Sequence, residues 1–368
     1  PMVANTDSLK IFSLIYYPPG FILQFPKRSN VKVVAPFKEQ RRIFEVYKES
    51  KEQGKVWNVD NVGSLNELVL NKRIDNFIQV CEAWQSRKIG RLADGIFSQR
   101  EKCKLVSIAG PSSSGKTTFS KRLSIELMSL GLKPFTISLD NYFVDRDKNP
   151  LGKDGKPDYE TIDALNLDMF NEHLNMLFAG KKVKLPIYNF FTGKSSFSNE
   201  ETKINDGEII VIEGIHCLNE RLTYTVKKEN KFKIYISPLT QMNIDDNNRI
   251  PTTDNRILRR MVRDYKYRGH SAKKTFQMWR SVREGEEKYI FPFQNDADGY
   301  FNSALDYELL ILKPYAEPLL QQIKPYDEEY NEALRLLRFL NYFLTVSPKN
   351  VPPTSILREF IGGSFFDY

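Results

Sequence analysis

The octet GPSSSGKT at 110–117 constrains this chain more than any other stretch. A loop of the form G-x-x-x-x-G-K-[ST] has a defined physical task only where a strand enters it and an amphipathic helix leaves it. Both neighbours are legible here. A short, mainly apolar run at 105–109 leads in, and Phe119, Leu123 and Leu127 recur at helix spacing on the way out. In that setting the loop turns its backbone N–H groups inward at the positive end of the helix dipole, where they cradle a phosphate chain. Gly110, Ser112, Ser113, Ser114, Gly115, Lys116, Thr117 and Thr118 are the candidate phosphate-binding residues. Lys116 adds a point charge at the outer phosphates. The Thr117 hydroxyl suits a Mg2+ shell shared with waters and phosphate oxygens.

Strand-like and helix-like patterns alternate from Lys104 onward, which predicts an α/β fold: a phosphate-loop parallel sheet with helices on both faces. Apolar runs predict its strands at 105–109, 135–139, 208–212, 232–236 and 307–312, and Leu167, Phe170, Leu174 and Leu177 mark a helix between two of them. Before Lys104 the pattern differs and predicts a smaller α+β domain. A strand at 11–17 runs into a turn at Pro18, Pro19 and Gly20; a capping box at Ser64 and Glu67 then opens a helical stretch that Ile74, Phe77, Cys81 and Trp84 continue to about residue 98. The expected division is 1–98, then 99–325 with an arginine-rich lid at about 254–290, then a helix and tail at 326–368 that pack back on the core. Leu334, Leu337 and Leu340 give that last helix its apolar side.

Two carboxylates stand where ligands of open α/β sheets bind, at the carboxyl ends of strands. Glu213 closes the run EIIVIEG at 208–214 and is placed to serve a metal beside Thr117. Asp140 ends FTISLD at 135–140, where it can take the proton of a hydroxyl attacking a phosphate. Arg256, Arg259, Arg260, Arg263 and Arg268 then recur at near-helical spacing before a turn at Gly269. Residues 256–288 hold eleven Lys or Arg against four Asp or Glu, nearly the whole of the chain's net charge of +8. On a solvated helix this would be an ordinary charged face. As a lid, the same arginines would close over a transferring phosphate and exclude water. Nucleic-acid binding competes for the same charges, but no nucleic-acid-binding motif accompanies them.

Other chemistries have little material. Three widely spaced cysteines, Cys81, Cys103 and Cys217, form no CxxC pair, and three histidines cannot furnish a histidine-rich metal centre or readily a Ser/His/Asp triad. The longest apolar stretch, at 11–25, is broken by Pro18, Pro19 and Gly20 and falls short of the roughly 18 residues a membrane helix needs. Without the ordered basic, apolar and small-residue regions of a secretory signal, the expected address is cytoplasmic.

Five motifs in order, GPSSSGKTTFS at 110–120, SLDNYF at 138–143, LPIYNF at 185–190, IEG at 212–214 and LRRMVRDYKYRG at 258–269, make residues 104–312 resemble the uridine kinase and phosphoribulokinase family. The resemblance implies a kinase that uses ATP and Mg2+ to phosphorylate the 5′-hydroxyl of a nucleoside. It makes Asp140 the catalytic base, sets Lys116, Arg260, Arg263 and Arg268 on the phosphates, and puts Thr117 and Glu213 at the magnesium. Tyr142 and Tyr188 would line the nucleoside pocket with Arg263. Glu160, with Asp163 three residues on, stands where the family carries an aspartate for the ribose hydroxyls. Two positions depart: a base-reading histidine is replaced near Gly193, and a further lid arginine by His270. The flanks YYPPG at 16–20, NVGSLNEL at 61–68 and SILREFIGGSFF at 355–366 are similar to a longer subfamily with an N-terminal threonyl-tRNA synthetase-like domain. All three histidines lie beyond residue 170, so no editing or zinc chemistry is expected of 1–98.

The expected partners are thus ATP and a nucleoside, with neither membrane nor nucleic acid, and a homo-oligomer is compatible with the sequence. Two further readings stay open at this point: a kinase of the same fold acting on another alcohol, as phosphoribulokinase does, and a nucleotide- or RNA-binding protein with a vestigial site. The intact set of Lys116, Thr117, Asp140 and Glu213 speaks against decay.

Overall fold

A computed structural model describes residues 5–7, 9–18, 20–26, 30–37, 39–152, 155, 157–189, 192–205 and 207–367. The chain separates into two units, Pro1–Arg41 and Arg42–Tyr368. The first is built on an antiparallel hairpin, β1 (Ser13–Tyr17) and β2 (Gly20–Gln24), with Leu14 opposite Leu23 and Tyr16 opposite Phe21. Of the predicted turn between them, Pro19 lies outside the described residues.

The second unit opens with three helices, α1 (Arg41–Trp57), α2 (Val62–Leu70) and α3 (Ile74–Phe97). The helix at Ile74 falls where its apolar spacing predicted. The cap before it does not: the N-cap of α2 is Asn61, whose Oδ1 accepts from Ser64 N–H at 3.0 Å, while Ser64 Oγ accepts from Asn61 N–H at 3.4 Å. Ser64 therefore fills the third helical position usually taken by Glu or Gln, and the predicted Ser64/Glu67 box starts three residues late. Residue 98, where the sequence pattern changes, lies in the loop after α3, inside this second unit.

From there strands and helices alternate: β3 (Leu105–Ala109), α4 (Lys116–Ser129), β4 (Lys133–Ser138), α5 (Leu167–Phe178), β5 (Val183–Asn189), β6 (Lys194–Thr202), β7 (Glu208–Glu213), β8 (Lys231–Ser237), α6 (Thr252–Arg268), α7 (Ala272–Tyr289), β9 (Gly299–Asn302), α8 (Glu308–Leu320), α9 (Tyr330–Leu340) and α10 (Arg358–Ile361). Five strands form one parallel sheet in the order β4-β7-β3-β8-β9, and β5 with β6 forms a separate antiparallel hairpin. The sheet is covered on both faces, as a parallel sheet must be. Val106 and Ile108 of β3 share a core with Ile78 of α3 and Leu123 of α4, whereas Leu105 and Ala109 share one with Phe170 and Leu174 of α5. Leu336 and Leu340 of α9 are buried in the first of these cores.

The predicted strand at 307–312 is a correction: these residues begin α8, and the fifth strand is β9. Leu309, Leu310, Ile311 and Leu312 are at most 3% exposed. A helix buried on all sides carries no amphipathic period, and a short apolar run then reads as a strand. The actual strand, GYFN, is four residues long and carries a glycine. Gly299 packs closely there, where a Cβ would come within 2.5 Å of Leu92 Cδ2 and the leucine would have to shift. Among the described residues no helix is long and apolar enough to cross a membrane.

Candidate active site

Three adjacent strands end at one edge of the sheet and deliver the candidate groups together. β3 leads into the glycine loop, β4 into Asp140, and β7 ends on Glu213, which pairs in register with Ile108 of β3 and Ser138 of β4. The loop is held tightly. At Gly110 a Cβ would meet Ile236 O at 2.0 Å, and Gly115 (φ +81°) caps α4 in the left-handed region that glycine tolerates. Ser113 adopts φ +59° without being glycine, a strain that the surrounding contacts sustain. Lys116 Nζ donates to Gly110 O at 3.1 Å and Pro111 O at 3.3 Å, folding its ammonium back over the loop. Thr117 Oγ1 donates to Glu213 Oε1 at 3.1 Å.

This donor set fits a nucleotide phosphate chain with Mg2+. The loop turns at two glycines, an ammonium stands over it, and a hydroxyl with a carboxylate offers the one or two protein oxygens that Mg2+ takes when phosphates supply others. Burial pushes the Glu213 carboxyl up to about 7, against the pull of Lys116. A metal ion would reverse that shift, since its ligands bind deprotonated.

Asp140 sits in the first turn after β4, with its side chain open to solvent. The protein packed around it raises its carboxyl above the usual range, while Lys116, Arg268 and Arg263 draw it down. Three cationic groups are therefore within electrostatic reach of this exposed carboxylate. Glu160 packs on α7: its side chain meets Gly285, where a Cβ would come within 2.8 Å, and Arg260 and Glu286 act on its charge. Burial pushes it up to about 7. Tyr188 is buried on β5 with its ring 5.7 Å from Phe143, and its N–H donates to Asn141 Oδ1 at 3.3 Å, fastening the hairpin beside Asp140.

The arginine helix is no solvated face. Arg256, Arg259 and Arg260 are 2%, 0% and 6% exposed. Arg256 is ion-paired with Glu286 of α7, and Arg259 Nε reaches Glu308 of α8 at 2.5 Å. Both are committed to holding the loop: Arg256 Nε donates to Ser112 O at 3.1 Å and Arg259 Nη1 to Ser113 O at 3.5 Å. Arg260 Nη1 donates to Ser112 Oγ at 2.6 Å, and Glu286 accepts from Ser112 N–H at 3.1 Å. Arg263 and the exposed Arg268 point with Arg260 at a shared buried anion, Asp264.

Two candidate residues are placed elsewhere. Tyr142 is 1% exposed; its ring packs edge-on against Phe170 and its hydroxyl pairs with His173 Nδ1 at 3.0 Å, so it faces the core. An aromatic that looks like pocket lining is here a strand-end core anchor. Asp163 pairs with Arg221 at 2.6 Å where both are more than half exposed. Of the motif at 185–190, Phe190 lies outside the described residues. The glycine at 193 is itself explained: its φ is +69°, and a Cβ would meet the Arg146 side chain at 2.7 Å, so a histidine cannot stand there without moving that contact. Sequence reasoning missed Asp264, Glu286, Ser303 and Glu359, all of which bind the loop or its arginines. The signal for the first two was the need of buried arginines for anions, and Arg260 and Asp264 are four residues apart on one helix.

Fold and site together define a phosphate-loop phosphotransferase. The comparisons agree: residues 105–308 match the model of the "Phosphoribulokinase / Uridine kinase family", and this chain belongs to that family and phosphorylates a hydroxyl group. Three curated relatives named uridine kinase, from Lactobacillus helveticus, Clostridium tetani and Bacillus licheniformis, are each 30% identical to it. They cover 54%, 53% and 53% of this chain and 85%, 84% and 83% of their own lengths.

Proposed function

We propose that the chain transfers the γ-phosphate of Mg-ATP to the 5′-hydroxyl of a nucleoside. The observation that carries this is Asp140, an exposed carboxylate at the end of β4 flanked by Lys116, Arg263 and Arg268. Bound Mg-ATP would supply the phosphoryl group and neutralise part of its charge. The loop N–H groups and Lys116 hold the phosphates; Asp140 accepts the proton of the acceptor hydroxyl as it attacks. Arg260, Arg263 and Arg268 stabilise the charge spread over the transferring group. Glu160 accepts from the sugar hydroxyls, and Tyr188 offers its ring edge beside Phe143. The cysteines Cys81, Cys103 and Cys217 are free and buried, which suits a reducing cytoplasm.

One observation favours a second reading, an acceptor other than a pyrimidine nucleoside. The left-handed backbone at Gly193, packed on the Arg146 side chain, disfavours the histidine that would read a pyrimidine. A single assay separates the two: ADP release from Mg-ATP with uridine, cytidine, adenosine, guanosine, inosine or ribulose 5-phosphate. Release with uridine or cytidine supports the proposal and excludes the second reading, whereas release with adenosine, guanosine or inosine alone supports a nucleoside acceptor that is not a pyrimidine. Release with ribulose 5-phosphate alone moves the chain to the second reading, and release indifferent to every acceptor refutes both.

A further inference from the structure

The C-terminal segment at 355–362 reaches the phosphate loop and places a carboxylate on it. Ile356 closes against Gly115, where a Cβ would come within 2.4 Å of Ile356 Cγ2. Glu359 is 9% exposed, and its Oε2 accepts both the Thr118 N–H at 3.2 Å and the Thr118 hydroxyl at 2.7 Å. The segment is anchored from behind. Arg358 Nη2 donates to Pro348 O at 2.8 Å and Val351 O at 2.6 Å, and Ser355 Oγ donates to the buried Glu82 at 2.5 Å. It is also tied to the arginine helix: Lys266 Nζ donates to Ile361 O at 2.7 Å, and the Arg259 guanidinium lies 5.0 Å from the centre of the Phe360 ring.

A carboxylate at the start of a helix is an ordinary cap. Here the donors it takes have another task. Thr118 follows Lys116 and Thr117 in the first turn of the helix whose loop cradles the α- and β-phosphates, so an anion fixed on its N–H and hydroxyl competes with a phosphate oxygen for the same two hydrogens. The carboxylate is also within electrostatic reach of Glu213 and Arg268, so a phosphate chain entering the cradle would meet its charge at close quarters.

We propose that residues 355–362 are a self-blocking latch: Glu359 holds Thr118 while the cradle is empty, and the donor's phosphate chain seats fully only when Glu359 lets go. This rests on the reading of 110–118 as a nucleotide-phosphate cradle. Because the same segment holds Lys266, release also frees the end of α6 that carries Arg263 and Arg268. Donor binding and arginine closure are thereby coupled through one segment. The closed form reduces the apparent donor affinity by the fraction of molecules in which the latch is open.

The test is calorimetric titration of Mg-ATP into the full chain, into Glu359→Ala and Glu359→Gln, and into Lys116→Ala as a control for the cradle. It is paired with hydrogen exchange of 355–362 in the unmutated chain with and without Mg-ATP. The latch predicts that removing the carboxylate tightens Mg-ATP binding by about tenfold or more, and that Mg-ATP speeds exchange in 355–362. Affinity that is unchanged or weaker in both Glu359 variants, with Lys116→Ala still weakening it, overturns the latch and leaves the cradle standing. Binding insensitive to Lys116→Ala, or no binding at all, overturns the cradle reading and the latch with it. Should the Glu359 variants not fold, the exchange experiment decides alone, because slower or unaltered exchange on adding Mg-ATP refutes release.

Discussion

Thr117 Oγ1 donates to Glu213 Oε1 at 3.1 Å, so a hydroxyl opening α4 and a carboxylate ending β7 meet across two neighbouring strands. Glu213→Gln keeps the shape and removes the charge; it should cut phosphoryl transfer about 10–100-fold at limiting Mg2+ and raise the Mg2+ concentration for half-maximal rate. Titrating Mg2+ in the ADP-release assay checks this. An unshifted Mg2+ requirement would remove Glu213 from the metal site.

Burial raises Glu213 and Glu160 from 4.5 to about 7. Between those values the folded chain holds these protons and the unfolded chain has lost them, so stability falls as pH rises through the window. The contribution is full below about 4.5, shrinks as pH rises toward 7, and beyond that stays constant as a cost to the folded state. Glu160→Gln should therefore show a shallower decline of Tm between about pH 5 and 7 than the unmutated chain. Parallel Tm curves would contradict the burial of this carboxyl.

Asp264 is fully buried with Arg263 at 2.7 Å, Arg260 at 3.2 Å and Arg268 at 3.6 Å. One anion thus offsets the mutual repulsion of three cations that the proposed reaction needs side by side. Replacing it with Asn leaves buried guanidinium charge uncompensated, which costs about 3–5 kcal/mol when one member of a buried pair is lost. Denaturant unfolding measures it. A loss under about 1 kcal/mol would mean that solvent or other groups already balance these arginines.

Much of this was legible in the sequence where a residue's task is fixed by local geometry. The glycines of the loop, Lys116 and Thr117 announce themselves through spacing, and Asp140 and Glu213 through their position at strand ends. Elements whose identity depends on distant packing were not. The run at 307–312 is apolar on every side because α8 is enclosed, which erases the period that separates helix from strand. Tyr142 sits beside Asp140 in sequence, yet the turn sends its ring to Phe170 and His173. Glu359 lies more than 240 residues from Thr118, and no local pattern could pair them. A basic helix likewise conceals which arginines are structural: Arg256 and Arg259 are spent on the loop backbone, leaving Arg263 and Arg268, both paired with Asp264, within electrostatic reach of Asp140.

Asp140 gives the sharpest test of the proposed chemistry, because its neighbours can bind nucleotide without it. Asp140→Asn preserves size and removes the proton acceptor. The cationic groups facing it, Lys116, Arg263 and Arg268, lose one counter-charge, so affinity for the polyanionic donor should hold or tighten. Turnover should fall about 10²–10⁴-fold, the usual worth of general base catalysis. Lys116→Ala should differ in kind by weakening donor binding and turnover together. Measured side by side by calorimetry and ADP release, the two variants separate proton transfer from phosphate binding. Full turnover in Asp140→Asn would show that another group takes the proton, and the exposed position at the end of β4 would then need a different role.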